Sequence, residues 1–326
     1  MLTFIVRRLL NYAVMLFVAV SGTYFLASSF LSPRSNYLAR RPVPPEHSID
    51  LSLNEANIND KTPLVTRYVH WLGDVLHGNF GLTPDLAPIN GELPHRILLS
   101  TELLALSTVL AVIIGVGLGV YTAIRQYKLS DRLSNGFTVL IMCIPAPVLY
   151  LFVVLGGIRF NEATGHRWLY VTGLGDSSVQ GFFPSLVDYL QHIALPTIGL
   201  TLIGYTAYHL TQRTYLLDTL NEDYVRTARA KGVRHHVAIR RHALRTSLIP
   251  TAMGVAWSIA AMFTGAVFAE NQFGINGIGK YFIDALGKND INGVVAAAGF
   301  AGVCTCAGLL LADVVVALLD PRIRIS

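Results

Sequence analysis

The chain has 326 residues, 52% of them hydrophobic and only 14% charged, with 25 Lys/Arg against 20 Asp/Glu and a mean hydropathy of +0.50. Soluble domains carry about 25% charged residues, so this balance excludes an ordinary soluble enzyme. A net charge of +5 in so apolar a chain points to a membrane protein before a nucleic-acid binder.

A helix needs about 20 apolar residues to cross the hydrocarbon core. Six charge-free runs of that order occur, at residues 9–31, 103–124, 133–158, 193–212, 246–269 and 291–312, with an extension of the last through Asp313 to Leu319 left open. The first run follows Arg7 and Arg8, as a signal peptide would. Its 23 residues exceed the roughly 7–15 of a signal sequence's apolar core, so it is expected to be a retained span. With the N-terminus inside, the inner segments sum to +9 and the outer segments to −4. Basic residues thus collect on the cytoplasmic side, and six spans put both termini there. The expected fold is all-α, a six-span integral membrane protein with an extracytoplasmic segment after the first span.

Residues 32–102 form that outer segment. Pro33, Pro42, Pro44 and Pro45 predict irregular chain, whereas Val65, Tyr68, Leu72 and Val75 keep helical spacing within residues 63–76. Such a helix is expected on the outer surface beside a pore mouth, ended by Gly78, Gly81 and Pro84. In the second run Gly115, Gly117 and Gly119 read as close helix packing rather than a phosphate loop, since no strand precedes them. Pro145 and Pro147 in the third run, and Pro196 in the fourth, predict kinks. Cys143, Cys304 and Cys306 lie in apolar runs without a C-x-x-C pair and read as small buried hydrophobes, not a metal or redox site.

Ionisable residues inside spans are functional candidates. Arg213 and Asp313, near the inner face, are expected to snorkel or to pair with each other. His209 is a candidate for lining a pathway. Glu270, at the outer end of the fifth run, is a candidate for an outer gate or for meeting an external protein. Residues 274–280, GINGIGK, match the first seven positions of a P-loop, but Tyr281 stands where Ser or Thr should hold magnesium and no strand precedes. No other P-loop candidate occurs, so any ATP hydrolysis falls to another chain.

Residues 218–250 are the one long charged segment between apolar ones. From Arg213 to Arg245 eight Lys/Arg face three acidic residues. Val225, Ala228 and Gly232 fall on one small-residue face suited to a partner's groove, with Arg226 and Arg229 on an adjacent cationic face. Gly232 is expected to end the first short helix, and residues 237–248 to lead into the fifth span. Arg240, Arg241 and Arg245 read as headgroup anchors, and His235, His236 and His242 as solvated, having no carboxylate in phase for a metal.

Residues 223–232, DYVRTARAKG, resemble the EAA coupling motif of ABC-type import permeases, with Gly232 as the motif glycine. Arg226, Thr227 and Ala228 then stand at the three lettered positions, and only Ala228 keeps its letter. That departure is similar to the dipeptide/oligopeptide/nickel branch, as is the spacing of Pro250 eighteen residues after Gly232. VRRLL at residues 6–10, GNFGL at 78–82 and DPRIR at 320–324 also resemble that branch, while Ser32-Pro33-Arg34 replaces its usual G-D-P.

The resemblance implies a type I importer permease: a first span and outer segment (residues 1–95), a permease core (96–320) and a cytoplasmic tail (321–326). It implies a bacterial inner-membrane subunit working with a second permease, two cytoplasmic ATPases that use ATP and Mg, and an extracytoplasmic binding protein. The chain itself would bind no cofactor, metal or nucleic acid. Asp223, Tyr224, Val225, Arg226, Thr227, Ala228, Arg229, Ala230, Lys231, Gly232 and Arg234 would contact the ATPase. The cargo implied is a dipeptide or oligopeptide, with nickel chelates or haem-like molecules as the alternative. An intramembrane enzyme would need H-E-x-x-H, paired carboxylates or a Ser/His pair in the membrane. A purely structural membrane protein would have no need of a basic Ala/Gly helix between its fourth and fifth spans.

Overall fold

A computed structural model describes residues 2–175 and 178–319. The described chain is helical, with one isolated bridge between Leu82 and Pro88. Its helices are α1 (Leu2–Phe30), α2 (Pro33–Leu38), α3 (Glu46–Glu55), α4 (Leu64–Leu76), α5 (Ile89–Ile124), α6 (Leu129–Cys143), α7 (Ala146–Thr164), α8 (Phe182–Leu220), α9 (Asp223–Ala230), α10 (His235–Ala238), α11 (Leu244–Gln272), α12 (Ile278–Gly287) and α13 (Ile291–Leu319). A π turn, Ile239–Ala243, joins α10 to α11. Among the described residues five stretches are long and apolar enough to cross a membrane: Val6–Leu38, Ile89–Ile124, Ala146–Thr164, Phe182–Leu220 and Ile291–Val314. The fifth predicted run lies in α11, a continuous helix of 29 residues.

The third predicted run is not one helix. Ile144 takes an extended conformation before Pro145, and α7 starts afresh with Pro147 in its first turn. A proline disfavours helical geometry in the residue before it, and its missing N–H does no harm where a helix begins. Pro94, Pro196 and Pro250, by contrast, stay inside helices. The prolines of the outer segment act as Pro147 does. Pro33 opens α2, Pro45 precedes α3 and Pro63 precedes α4, so chain expected to be irregular carries two short helices.

The described residues fall into two compact units. One draws on residues within 1–101, 263–271 and 276–310, the other on residues within 102–262, 272–275 and 311–326. The core of the first gathers Tyr24, Tyr37, Ile49, Leu53, Trp71, Ile291 and Val295, with the Tyr24 and Trp71 rings 4.7 Å apart. Helix α4 keeps the expected helical spacing and packs Tyr68, Leu72 and Val75 against this core, while Val65 is 68% exposed. Arg34, at the departure from the family pattern, is a hub. Its guanidinium reaches Asp60 at 2.8 Å and Asp50 at 2.6 Å, while Lys61 holds Glu46 and Asp50. Asn292 donates to the carbonyls of Ala56 and Leu82 and so fastens the outer segment to the start of α13.

In the second unit α5 lies against α8 through glycine. A Cβ on Gly115 would stand 2.6 Å from the Tyr205 carbonyl oxygen, and one on Gly119 would stand 2.8 Å from the His209 carbonyl oxygen. These two glycines are four residues apart on one face, the small-residue spacing that lets helix backbones approach in a membrane. Gly117 meets nothing within 4 Å and takes no part. Of the cysteines expected to be buried, Cys143 is exposed and Cys304 and Cys306 are half-buried.

Candidate functional site

Helix α9 is eight residues long, too short to hold itself in water. Its ends explain its persistence. Asp223 sits in the first turn and Arg229 in the last, each favourable to the helix dipole. At the C-terminus Gly232 takes φ +85. Its N–H donates to the Arg229 carbonyl at 3.0 Å, and the Val233 N–H donates to the Ala228 carbonyl at 3.2 Å. This is the two-bond Schellman closure, which needs a left-handed residue at this position.

Tertiary packing supplies the rest. Val225 is 3% exposed and sits in a cluster with Ala123, Leu216 and Ala243, flanked by Val120, Leu217 and Leu220. The expectation that Val225, Ala228 and Gly232 share a partner-facing side is therefore corrected. Val225 points into the chain's own core and Ala228 is half-buried. The amphipathic signal was right, but its apolar stripe is the anchor. The side left exposed comprises Asp223, Tyr224, Arg226, Thr227, Arg229, Ala230, Lys231, Gly232 and Arg234. Arg226 remains 69% exposed, with only a loose 3.9 Å approach to Asp223.

Buried polar residues of α8 extend from this anchor. The Arg213 guanidinium forks onto Asp131 of α6 at 2.9 and 3.1 Å. That contact holds the Asp131 carboxyl below the usual carboxylate range. Arg213 thus pairs with Asp131, where the sequence leaves snorkelling or a pair with Asp313 open. Gln212 donates to Ser247 at 3.0 Å and accepts from Thr251 at 2.6 Å, linking α8 to α11. His209 is fully buried, its ring nitrogens 3.1 Å from the Thr122 hydroxyl and 2.7 Å from the Thr138 hydroxyl. Thr122 directs its own proton to the Leu118 carbonyl, so it accepts from Nε2–H, and Nδ1 accepts from Thr138. His209 therefore ties α5, α6 and α8 together. Asp131, Thr138, Gln212, Ser247 and Thr251 were missed by sequence reasoning. Only Asp131 left a signal, as the one acid in the short inner loop at residues 125–132.

Glu270 is likewise fully buried. Its carboxylate accepts from the Ser100 hydroxyl at 2.5 Å and from the Lys280 N–H at 2.9 Å, while Ser100 accepts from the Ile278 N–H at 2.8 Å. The GINGIGK stretch does present a helix N-terminus to a carboxyl group, and that carboxyl is the chain's own glutamate. The described residues contain no group of three metal ligands. The tail motif at residues 320–324 lies outside the described residues.

Residues 115–325 match the family model described as binding-protein-dependent transport system inner membrane component. The chain is 38% identical over 327 aligned positions, covering all of both sequences, to an oligopeptide transport system permease protein of Mycobacterium tuberculosis. It is 32% identical over 267 positions, 81% of each chain, to a putative peptide permease protein of Brucella ovis. It is 28% identical to an oligopeptide transport system permease protein of Escherichia coli, covering 99% of this chain and all of that one.

Proposed function

We infer the function from one premise: the chain belongs to the family of binding-protein-dependent transport system inner membrane components. It is a multi-pass inner-membrane permease subunit of a bacterial ABC-type importer. We propose that it forms part of the translocation pathway for oligopeptides, the cargo named for its relatives in Mycobacterium tuberculosis and Escherichia coli.

The proposed topology has six spans, with α6 and α7 counted as one broken span, α11 as the fifth, and both termini cytoplasmic. A second permease chain would complete the pathway. Two cytoplasmic ATPases would use ATP with Mg, and an extracytoplasmic binding protein would deliver the peptide. This chain would bind no cofactor of its own.

The observation that carries this reading is α9. It is a capped basic helix between α8 and α11, anchored by Val225 and presenting Tyr224, Arg226, Arg229 and Lys231 outward. A soluble motor needs such a rigid handle, and exposed arginines suit bidentate pairing with acidic residues. The test is Arg226→Glu with Arg229→Glu in the reconstituted importer. Loss of ATPase co-purification and of uptake, with the permease still inserted and monodisperse, supports the reading. Wild-type uptake by the double variant would sink it.

A further inference from the structure

Helix α12 has no capping side chain of its own. Its N-cap is Gly277, and helix N-termini ordinarily satisfy their free N–H groups with a Ser, Thr, Asp or Asn at that position. Here the work is done from two other helices. The Ile278 N–H donates to Ser100 of α5, and the Lys280 N–H donates to Glu270, two residues before the end of α11. Ser100 in turn donates to Glu270, closing a small ring of hydrogen bonds in which every group pointing at the carboxylate is a donor. An ionised carboxylate, which only accepts, fits this arrangement.

The glycines of the stretch serve the same contact. A Cβ on Gly277 would collide with the Glu270 carboxyl and the Ser100 hydroxyl. One on Gly279 would stand 2.8 Å from Val267 Cα and 3.1 Å from Glu270 Oε2. Further along, α12 buries Ile278, Tyr281 and Ala285 and leaves Ile283 and Leu286 exposed. The Arg96 guanidinium lies 4.9 Å over the Tyr281 ring.

We propose that Glu270 is a positioning residue: with Ser100 it latches α12 to the end of α11, so that α12 moves with α11 as an outer gate element of the transport cycle. The gate half rests on the importer reading above; the latch half rests on the geometry alone. A self-capped α12 would be indifferent to the end of α11. An α12 capped only from α11 and α5 keeps its first turn only while it stays with that end. The start of α11 is continuous with α10 and the π turn that follow the coupling helix, so the helix that would feel the ATPase is the one that carries the latch.

The test uses the complete importer with Glu270→Ala, Glu270→Gln and Ser100→Ala, read by hydrogen exchange of residues 277–280 and by peptide imported per ATP hydrolysed. Glu270→Ala should speed exchange of these amides by about ten-fold or more, the usual consequence of losing a hydrogen bond to a charged group. It should lower import per ATP by a similar factor while hydrolysis continues. Glu270→Gln keeps a carbonyl oxygen for the Lys280 N–H and should restore most of both. Ser100→Ala, which removes the acceptor of Ile278 and one donor to Glu270 but leaves the Lys280 bond, should fall between them and carries the test if Glu270→Ala does not assemble. Unchanged exchange in Glu270→Ala and Ser100→Ala overturns the latch. Faster exchange with wild-type import per ATP overturns the gate. A wild-type complex that imports no peptide overturns the importer reading, and the exchange comparison still decides the latch.

Discussion

Gly232→Ala separates two roles that one glycine can have at the end of α9. The residue sits at φ +85 and closes the helix with its own N–H and that of Val233. A side chain in left-handed geometry costs about 1–2 kcal/mol, which lowers the capped population of α9 by a factor of about 5–30. No atom lies within 4 Å of a Cβ built on Gly232, so within this chain the cost does not grow with side-chain size. Asn tolerates this geometry better than Ala. On the purified permease, loss of hydrogen-exchange protection in α9 should therefore rank Asn below Ala, with Ala and Trp alike. In the reconstituted importer a partner surface closing on Gly232 adds a steric cost that Ala mostly avoids and Trp does not. Uptake should then fall about ten-fold in Gly232→Ala, following the cap alone, and to background in Gly232→Trp. Equal uptake in the two variants would refute close approach of a partner at this position. Undiminished protection in Gly232→Ala would refute the cap itself.

Three further predictions rest on the cores. Asp131→Asn leaves the partly buried Arg213 without its counter-charge and should cost about 3 kcal/mol, the lower end for a broken buried pair. Because Arg213 lowers the folded-state pKa of Asp131, the pair's stabilisation is present above about pH 4 and is lost as pH falls through the folded value; thermal melts of wild type and variant in detergent should converge in acid. Asp290, 3% exposed at the start of α13, behaves oppositely. Burial pushes its carboxyl up to about 6, so its contribution is most favourable in acid and is lost as pH rises through that value. Asp290→Asn keeps an acceptor for the Gly293 N–H at 2.9 Å and should flatten the melting profile between about pH 4 and 6. Gly115→Ala should destabilise by about 1–3 kcal/mol through overpacking against α8, whereas Gly117→Ala should be nearly silent. Equal melting temperatures for the two glycine variants would refute the assigned α5–α8 contact.

The helices were legible where the signal was hydropathy run length, and much less so where proline had two meanings. Pro33 and Pro45 announce breaks in the sequence, yet each stands at a helix start, because a missing N–H is harmless there. The same ambiguity hid the break at Pro145, since a proline at the middle of an apolar run reads equally as a kink. Glu270 stood out in the sequence as a candidate for an outer gate or an external contact, but its partners did not. Its partners Ser100 and Lys280 lie 170 and ten residues away, and no periodicity links them.

What the sequence determined by itself was local in its physics. A run of about 20 apolar residues marks a candidate span. A glycine after a short basic helix suffices for a left-handed cap, and the Tyr224–Gly232 block with the tail motif at residues 320–324 points to the family. The tertiary structure decided everything that depends on which distant groups become neighbours. It turned Val225 inward, gave Arg213 to Asp131 across 82 residues, closed His209 between two threonines, and set Glu270 on a helix that has no cap of its own. A buried polar group must find its partner somewhere in the fold, and the sequence states that need without naming the partner.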